Sequence, residues 1–294
     1  MITSVVYAFD PANKPVHTAK PGETLVFETQ DCFSNEIVRE DQLTTGFNYY
    51  RANPATGPVY VEGAEPGDIL SVYIDKVEVG ERGVVTTLPE VGPLADKAEI
   101  RTKILKMQNG RTTFNGLDLP LDPMIGVIGV SPAKEPVACG FPGSHGGNLD
   151  SKLVKPGAKL YFPVRVPGAL LQLGDLHAVM GDGELCGTGL EAAGVVTVTI
   201  SLIKNTPIEW PVLETADYWY SMASDLDYTK ALVAATRQTA DLLGKATGWD
   251  LTDSFFFLSL WGTIEVNQAC QPCPVPMVLR VGAPKLPGKP LIAG

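Results

Sequence analysis

Three Pro-Gly pairs constrain the fold of this chain more than any other feature. "PGETLVF" from Pro21, "PGDILSV" from Pro66 and "PGAKLYF" from Pro156 each place a reversal directly before a run whose apolar residues alternate. Proline presets φ for the turn and glycine accepts the positive φ that follows, so the chain reverses and then runs extended. The same period of two appears in "GVVTTL", in "IGVIGV" from Ile125, and in "VVTVTISLI" from Val195, where Val196, Val198, Ile200 and Leu202 interleave with Thr197, Thr199 and Ser201. Many short strands punctuated by glycine and proline predict a mainly β fold, a sandwich or barrel-like β-rich assembly.

The pattern changes after "EWP" at 209–211. "DYTKALVAATRQTADLLGKATG" from Asp227 sets Leu232, Ala235, Leu242, Leu243 and Ala246 near helical spacing, with Gly244 or Gly248 as the stop. "LTDSFFFLSLWG" reads as a second helix from a Thr252 N-cap to Gly262, although Phe255 to Phe257 would also suit a buried strand. "PMVLRV" reads as a last strand, and "GAPKLPGKPLIAG" as an extended arm lying on the surface or on a second subunit. The expected organisation is a β-rich part over 1–210 that carries the site, and a C-terminal α-helical portion with final strand and tail over 211–294, the two forming one intertwined unit.

The 294 residues carry a net charge of −10, with 45% hydrophobic and 19% charged residues, a soluble globular composition. No Lys/Arg-rich run is present, which argues against a nucleic-acid partner. No apolar stretch nears the roughly 20 residues of a membrane span, and the N-terminus lacks a basic segment before an apolar core, so the expected location is cytoplasmic. The five cysteines are scattered and odd in number, unlike a disulfide framework. Cys270 and Cys273 form a C-x-x-C in "CQPCP", with neither a second pair for a four-thiolate zinc site nor a βαβ context. They read first as two small residues in a proline-rich turn, with a functional pair as the alternative.

The chemistry concentrates in two stretches. "GDLHAVMGDGELCGTGLE" at 174–191 reads as a hairpin closed by Gly181-Asp182-Gly183, with Asp175 and His177 on one strand face. A three-residue loop would set Met180 opposite Glu184, Asp175 opposite Gly189, and Glu191 diagonal to Asp175 on the same face; a two-residue loop would send Glu191 to the other face. Gly187 and Gly189 would leave space there for a ligand. "GFPGSHGGNLDSK" at 140–152 brings backbone close to a ligand through its glycines, with His145, Asn148 and Asp150 as coordinating or polarising side chains. It matches neither phosphate-binding glycine pattern. In "ETQDCFSNE", Asp31 ends a strand and is the contributor expected from this stretch, while His17 reads as a surface residue. Either histidine motif alone is commonly an ordinary hydrogen-bonded pair. Together, two histidines and carboxylates from separate segments suit a zinc-type site with one position open for water.

"GSHGGNLDSK", "GDLHAVMGDGE" with "GLE" after it, "IGVIGVSPA", "EPGDIL" and the "VNQ" ending at Gln268 together resemble the acetamidase/formamidase family, in order from about Asp31 onward. The resemblance implies hydrolysis of short amides to carboxylic acid and ammonia, a β-rich assembly with a C-terminal helical portion, and a homodimer or higher homo-oligomer. It implies roles for Asp31, His145, Asn148, Asp175, His177 and Glu191, and a divalent metal, zinc or calcium. "CQPCP" falls outside the family pattern.

The expected mechanism assigns the metal to Asp31, His145, Asp175 and His177. Glu191 exchanges the proton between water and departing ammonia, and Asn148 with the N–H groups of Gly146 and Gly147 stabilises the oxyanion. Two rivals stand beside it. One is a thiol amidase using Cys32, Cys139 or Cys186. The other is a non-enzymatic metal-binding β-sandwich module, in which calcium would take the carboxylates and Asn148 but not the histidines.

Overall fold

The computed structural model describes residues 1–293. Each of these three Pro-Gly pairs delivers a strand two residues later, with Gly22, Gly67 and Gly157 at φ of 92°, 96° and 90° before Thr24–Thr29, Ile69–Val79 and Lys159–Pro163. All three strands enter one eight-stranded sheet, whose order is Thr263–Gln268, Met277–Pro284, Tyr218–Asp225, Val212–Glu214, Lys159–Pro163, Ile69–Val79, Gly194–Ile203 and Thr24–Thr29. Strands on both sides of residue 210 therefore share this sheet.

A twelve-stranded sheet lies against it. Its central run is Arg82–Thr86, Glu191–Ala192, Leu171–His177, Met124–Gly129 and Gly146–Asn148. Phe27, Leu70, Val72, Ile74, Val196 and Val198 from the first sheet share one buried cluster with Ile125, Ile128, Leu171, Leu173 and Leu176 from the second. The fold is thus a β-sandwich closed by burial of both inner faces.

The outer face of the eight-stranded sheet is covered by two helices, α1 (Tyr228–Thr247) and α2 (Leu251–Trp261). Ile69, Tyr161, Val212 and Trp219 pack there against Leu242, Leu243 and Leu258. Asp227 caps α1 by accepting from the Thr229 and Lys230 amides, and Gly248 ends it at φ 83°. The N-cap of α2 is Asp250, which accepts from the Asp253 amide, and not Thr252; Phe255 to Phe257 are helical. The tail folds back on its own chain, burying Leu291 and Ile292 beside Leu243 and Leu258. No helix among the described residues is long and apolar enough to cross a membrane.

Candidate active site

The strand Leu171–His177 sets the site through one irregularity. Leu171 and Leu173 face the inter-sheet core, so regular alternation would carry Asp175 and His177 into it as well. Asp175 instead adopts φ 55°, which shifts the phase: Leu176 joins the core, and Asp175 and His177 meet outside it. Beside them, in the adjacent strand, Gly126 leaves room that no other residue could, since a Cβ there would lie 2.6 Å from Asp175 Oδ2 and 2.8 Å from Asp150 Oδ1.

The connection from His177 to Glu191 is wider than a three-residue hairpin. His177 pairs directly with Glu191, and Ala178 and Val179 continue the ladder with Leu190. The expected pairings of Met180 with Glu184 and of Asp175 with Gly189 do not form. Gly181-Asp182-Gly183 makes a turn, the Glu184 amide donating to Gly181 O, but the turn docks on Thr263–Gln268 instead of closing a tight hairpin, with the Gly183 amide donating to Asn267 O and the Ala269 amide to Gly183 O. Fully buried Arg280 holds this segment by donating to both Asp182 carboxylate oxygens at 3.0 Å, and it also bonds Glu265 and Asn267. The space expected over Gly189 is filled by the imidazole, since a Cβ there would lie 2.6 Å from His177 Nδ1. Gly187 is likewise closed by Val91.

Four buried carboxylates converge on His177 Nε2: Glu191 at 3.2 Å, Asp175 at 3.5 Å, and Asp150 and Glu184 each at 4.0 Å. Asp175 Oδ2 accepts from Asn53, and Glu191 Oε1 from the Gly189 amide. Both oxygens of Asp150, Oδ1 of Asp175 and Oε2 of Glu191 have no hydrogen-bond donor. Burial opposes the imidazolium of His177, but Glu191 and Asp175 outweigh it and raise the pKa well above the ordinary value. Burial, reinforced by Asp175, pushes Asp150 up to about 8. Burial likewise raises Glu191 to about 7, against the opposing pull of His177, and lifts Glu184 well above the carboxylate range. A buried acid without a compensating charge is costly, and one imidazolium cannot balance four carboxylates. Asp150, His177 and Glu184 could hold a metal ion, and so could Cys32, Asp175 and Glu191; each set has its ligand atoms within 4.8 Å of one another. The orphaned oxygens and this donor set fit a divalent cation.

The other expected residues are placed differently. His145 is buried edge-on against Phe9, with ring centroids 4.8 Å apart, its Nε2 has no hydrogen-bond partner, and it forms no ion pair with the four acids among the described residues. Burial, helped by Arg165, lowers its pKa to about 3. Asp31 Oδ1 accepts from the Phe33 and Asn35 amides and holds the turn after Thr24–Thr29; burial raises its pKa against those bonds. Neither belongs to the two candidate ligand sets. Gly146 and Gly147 lie in a strand paired on both sides, where Cβ atoms would strike Ile128 O and Phe141 O at 2.4 Å, so their backbone is committed to the sheet. Asn148 does reach the site: Asn53 donates to its Oδ1 and to Asp175. Glu184, unassigned at the sequence level, belongs to the cluster, as does Asp150 of the glycine-rich loop. His17 is on the surface beside Glu23.

A cavity of about 30 Å³ opens on the cluster, lined by Cys32, Asn53, Asn148, Asp175, Glu184, Glu191 and Cys270. Phe47, Tyr49, Leu88 and Val91 line both it and an outer groove of about 870 Å³. A cleft of about 560 Å³ along α1 lies among residues 207–210 and 229–245, away from the buried acids.

The model of the acetamidase/formamidase family matches residues 5–140 and 137–268, which include every residue of this cluster. The chain belongs to the acetamidase/formamidase family. Within the family it resembles an acetamidase from Bacillus halodurans, at 40% identity and a TM-score of 0.91 over 96% of each chain. It also resembles a structure described as a predicted acetamidase/formamidase from Thermoanaerobacter tengcongensis, at 41% identity and a TM-score of 0.91 over 96% of this chain and 94% of that one. A formamidase of Methylophilus methylotrophus is 27% identical over 253 residues, 63% of this chain and 61% of its own. The chain spans about three-fifths of the length of the curated relatives it matches. The family match ends before Cys270, leaving "CQPCP" outside it.

Proposed function

We propose that this chain hydrolyses short aliphatic amides of the formamide and acetamide type to a carboxylic acid and ammonia at the His177 cluster. The observation that carries this reading is the convergence of four buried, partly unbonded carboxylates on one imidazole beside a cavity of about 30 Å³. Family membership and relatives named for formamide and acetamide hydrolysis support it.

His177, Asp150 and Glu184, with Asp175, would hold a divalent cation; a mixed nitrogen and carboxylate set favours zinc over calcium, which would use the oxygens alone. Bound there, the cation would neutralise the buried acids and polarise the amide carbonyl. Glu191 is held by the Gly189 amide through one oxygen and faces the cavity, which places its free oxygen to exchange a proton with water. It takes a proton from the attacking water and delivers it to the departing nitrogen. Asn148, gripped at Oδ1 by Asn53, keeps its amide N–H groups for the substrate oxygen. The small cavity behind Phe47, Tyr49, Leu88 and Val91 selects a short acyl group.

The test is ammonia release from formamide, acetamide and propionamide, before chelation and after adding back zinc or calcium. Loss on chelation and recovery with one ion supports the reading, and no ammonia from any substrate overturns it.

Activity indifferent to chelation favours a second reading, in which Cys32 is the nucleophile, because Cys32 Sγ lies with Asp175 and Glu191 at the cavity. Against it, burial and the facing carboxylates raise the Cys32 pKa well above that of a free thiol. Cys139 packs with Phe9 and Cys186 bonds Thr188, both outside the cavity lining. Self-association as a homodimer or higher homo-oligomer is part of the proposal, on the exposed apolar face of α2.

A further inference from the structure

We propose that Cys270 and Cys273 form a reversible dithiol–disulfide pair at the mouth of the cavity, a modification site separate from the acidic cluster. Their sulfurs are 3.4 Å apart, the only thiol–thiol contact among the described residues. The turn that carries them is clamped: the Gly92 amide donates to Cys270 O at 2.7 Å and Cys273 N donates to Gln271 Oε1 at 3.1 Å. Bringing the sulfurs to bonding distance therefore sacrifices little chain freedom.

The two thiols differ in access. Cys270 is 3% exposed and lines the inner cavity, whereas Cys273 is half-buried and lines the outer groove of about 870 Å³. Hydrogen bonding from Cys270 lowers the Cys273 pKa, which favours Cys273 as the attacking sulfur. The oxidant class is a small soluble disulfide such as glutathione disulfide. The Cys273 thiolate attacks one of its sulfurs, forming a mixed disulfide and releasing one thiol. Cys270 then gives up its proton and attacks Cys273 sulfur, releasing the second thiol. The protein loses two protons and two electrons, and one disulfide is reduced to two thiols.

Oxidation reaches the site through backbone. The sulfurs must close from 3.4 Å to about 2 Å, which moves the turn by about an ångström. Ala269, adjacent to Cys270, donates to Gly183 O, and Glu184 follows directly in the cavity wall. The expected consequence is slower turnover, and only this consequence rests on the amide-hydrolase reading.

The test combines intact mass and ammonia release from formamide, with full-length protein equilibrated in glutathione disulfide and then in dithiothreitol. The expected result is a loss of two hydrogens, mapped to a Cys270–Cys273 linked peptide and reversed by dithiothreitol. Turnover falls by about tenfold in the oxidised form and recovers on reduction. Cys270→Ser should trap one glutathione on Cys273, and Cys273→Ser should acquire neither modification. An unchanged wild-type mass, or the same two-hydrogen loss in Cys273→Ser, overturns the pair. A stoichiometric disulfide with unchanged turnover overturns its effect on the site. Absence of turnover in both states counts against the amide reading alone, since the mass still decides the disulfide.

Discussion

Asn53, Asp150, Asp175 and Glu184 hold φ between 41° and 55°, a region that costs a residue with a β-carbon about 1–2 kcal/mol. Three of them also bury a carboxylate beside others, so strain and like charge concentrate at one place, as they do where structure serves chemistry. Asp150→Asn and Glu184→Gln should therefore raise the melting temperature of cation-free protein by about 2–4 °C per kcal/mol of repulsion relieved, while abolishing ammonia release; calorimetry on chelated samples checks this. Glu191→Gln should lose more than about 100-fold in kcat with the fold and bound metal retained, read by steady-state kinetics and elemental analysis. His145 sets a pH dependence of a different kind. Its folded pKa of about 3 lies below that of an unfolded histidine near 6.5, so below that pH the unfolded chain binds the extra proton and stability falls. The His145 share of the loss should approach about 1.4 kcal/mol per pH unit, read as the difference between wild type and His145→Gln in urea unfolding at pH 7 and 5, since the raised Asp150 and Glu191 act in the opposite direction in both proteins. At this scale the sequence made Asp175, His177 and Glu191 visible as a constellation. It did not single out Glu184, and it grouped His145 with residues from which the structure holds it apart, because Gly146 and Gly147, at φ of 101° and 80°, turn the chain between His145 and Asn148 and defeat any spacing argument.

Among elements, the Pro-Gly turns and period-two runs located strands reliably, since turn chemistry and alternation are both local. The stop of α1 at Gly248 was one of two glycines legible for the same reason, whereas the Thr252 expected to cap α2 yields to Asp250, whose carboxylate accepts from the Asp253 amide. The connection after His177 was not legible, because what opens it is remote in sequence: Arg280 and Asn267 draw residues 181–183 away from a tight hairpin. Arg280→Met should accordingly destabilise by about 3 kcal/mol in denaturant unfolding. The value is at the low end for a broken buried pair because the Asp182 and Glu265 side chains are 28% and 31% exposed and can rehydrate.

For the molecule as a whole, the helices lie outside a two-sheet sandwich and leave an apolar surface uncovered. Phe255, Phe256, Leu260 and Trp261 are each more than half exposed on α2. Replacing Phe256 and Leu260 with aspartate should reduce the particle mass measured by light scattering while the circular dichroism is unchanged; an unchanged mass would remove this face as the contact. The sandwich also joins distant parts of the chain. Beyond a single bridge from Ile2 to Phe27, Thr24–Thr29 finds its strand partner in Gly194–Ile203, and the Thr24–Thr199 contact spans 175 positions. At a ribosomal rate of roughly 5–20 residues per second, this strand waits about 10–35 seconds for its neighbour to be made. During that interval Leu25 and Phe27 lack the sheet they will enter, so this early strand stays open to mispairing until the far side of the fold emerges.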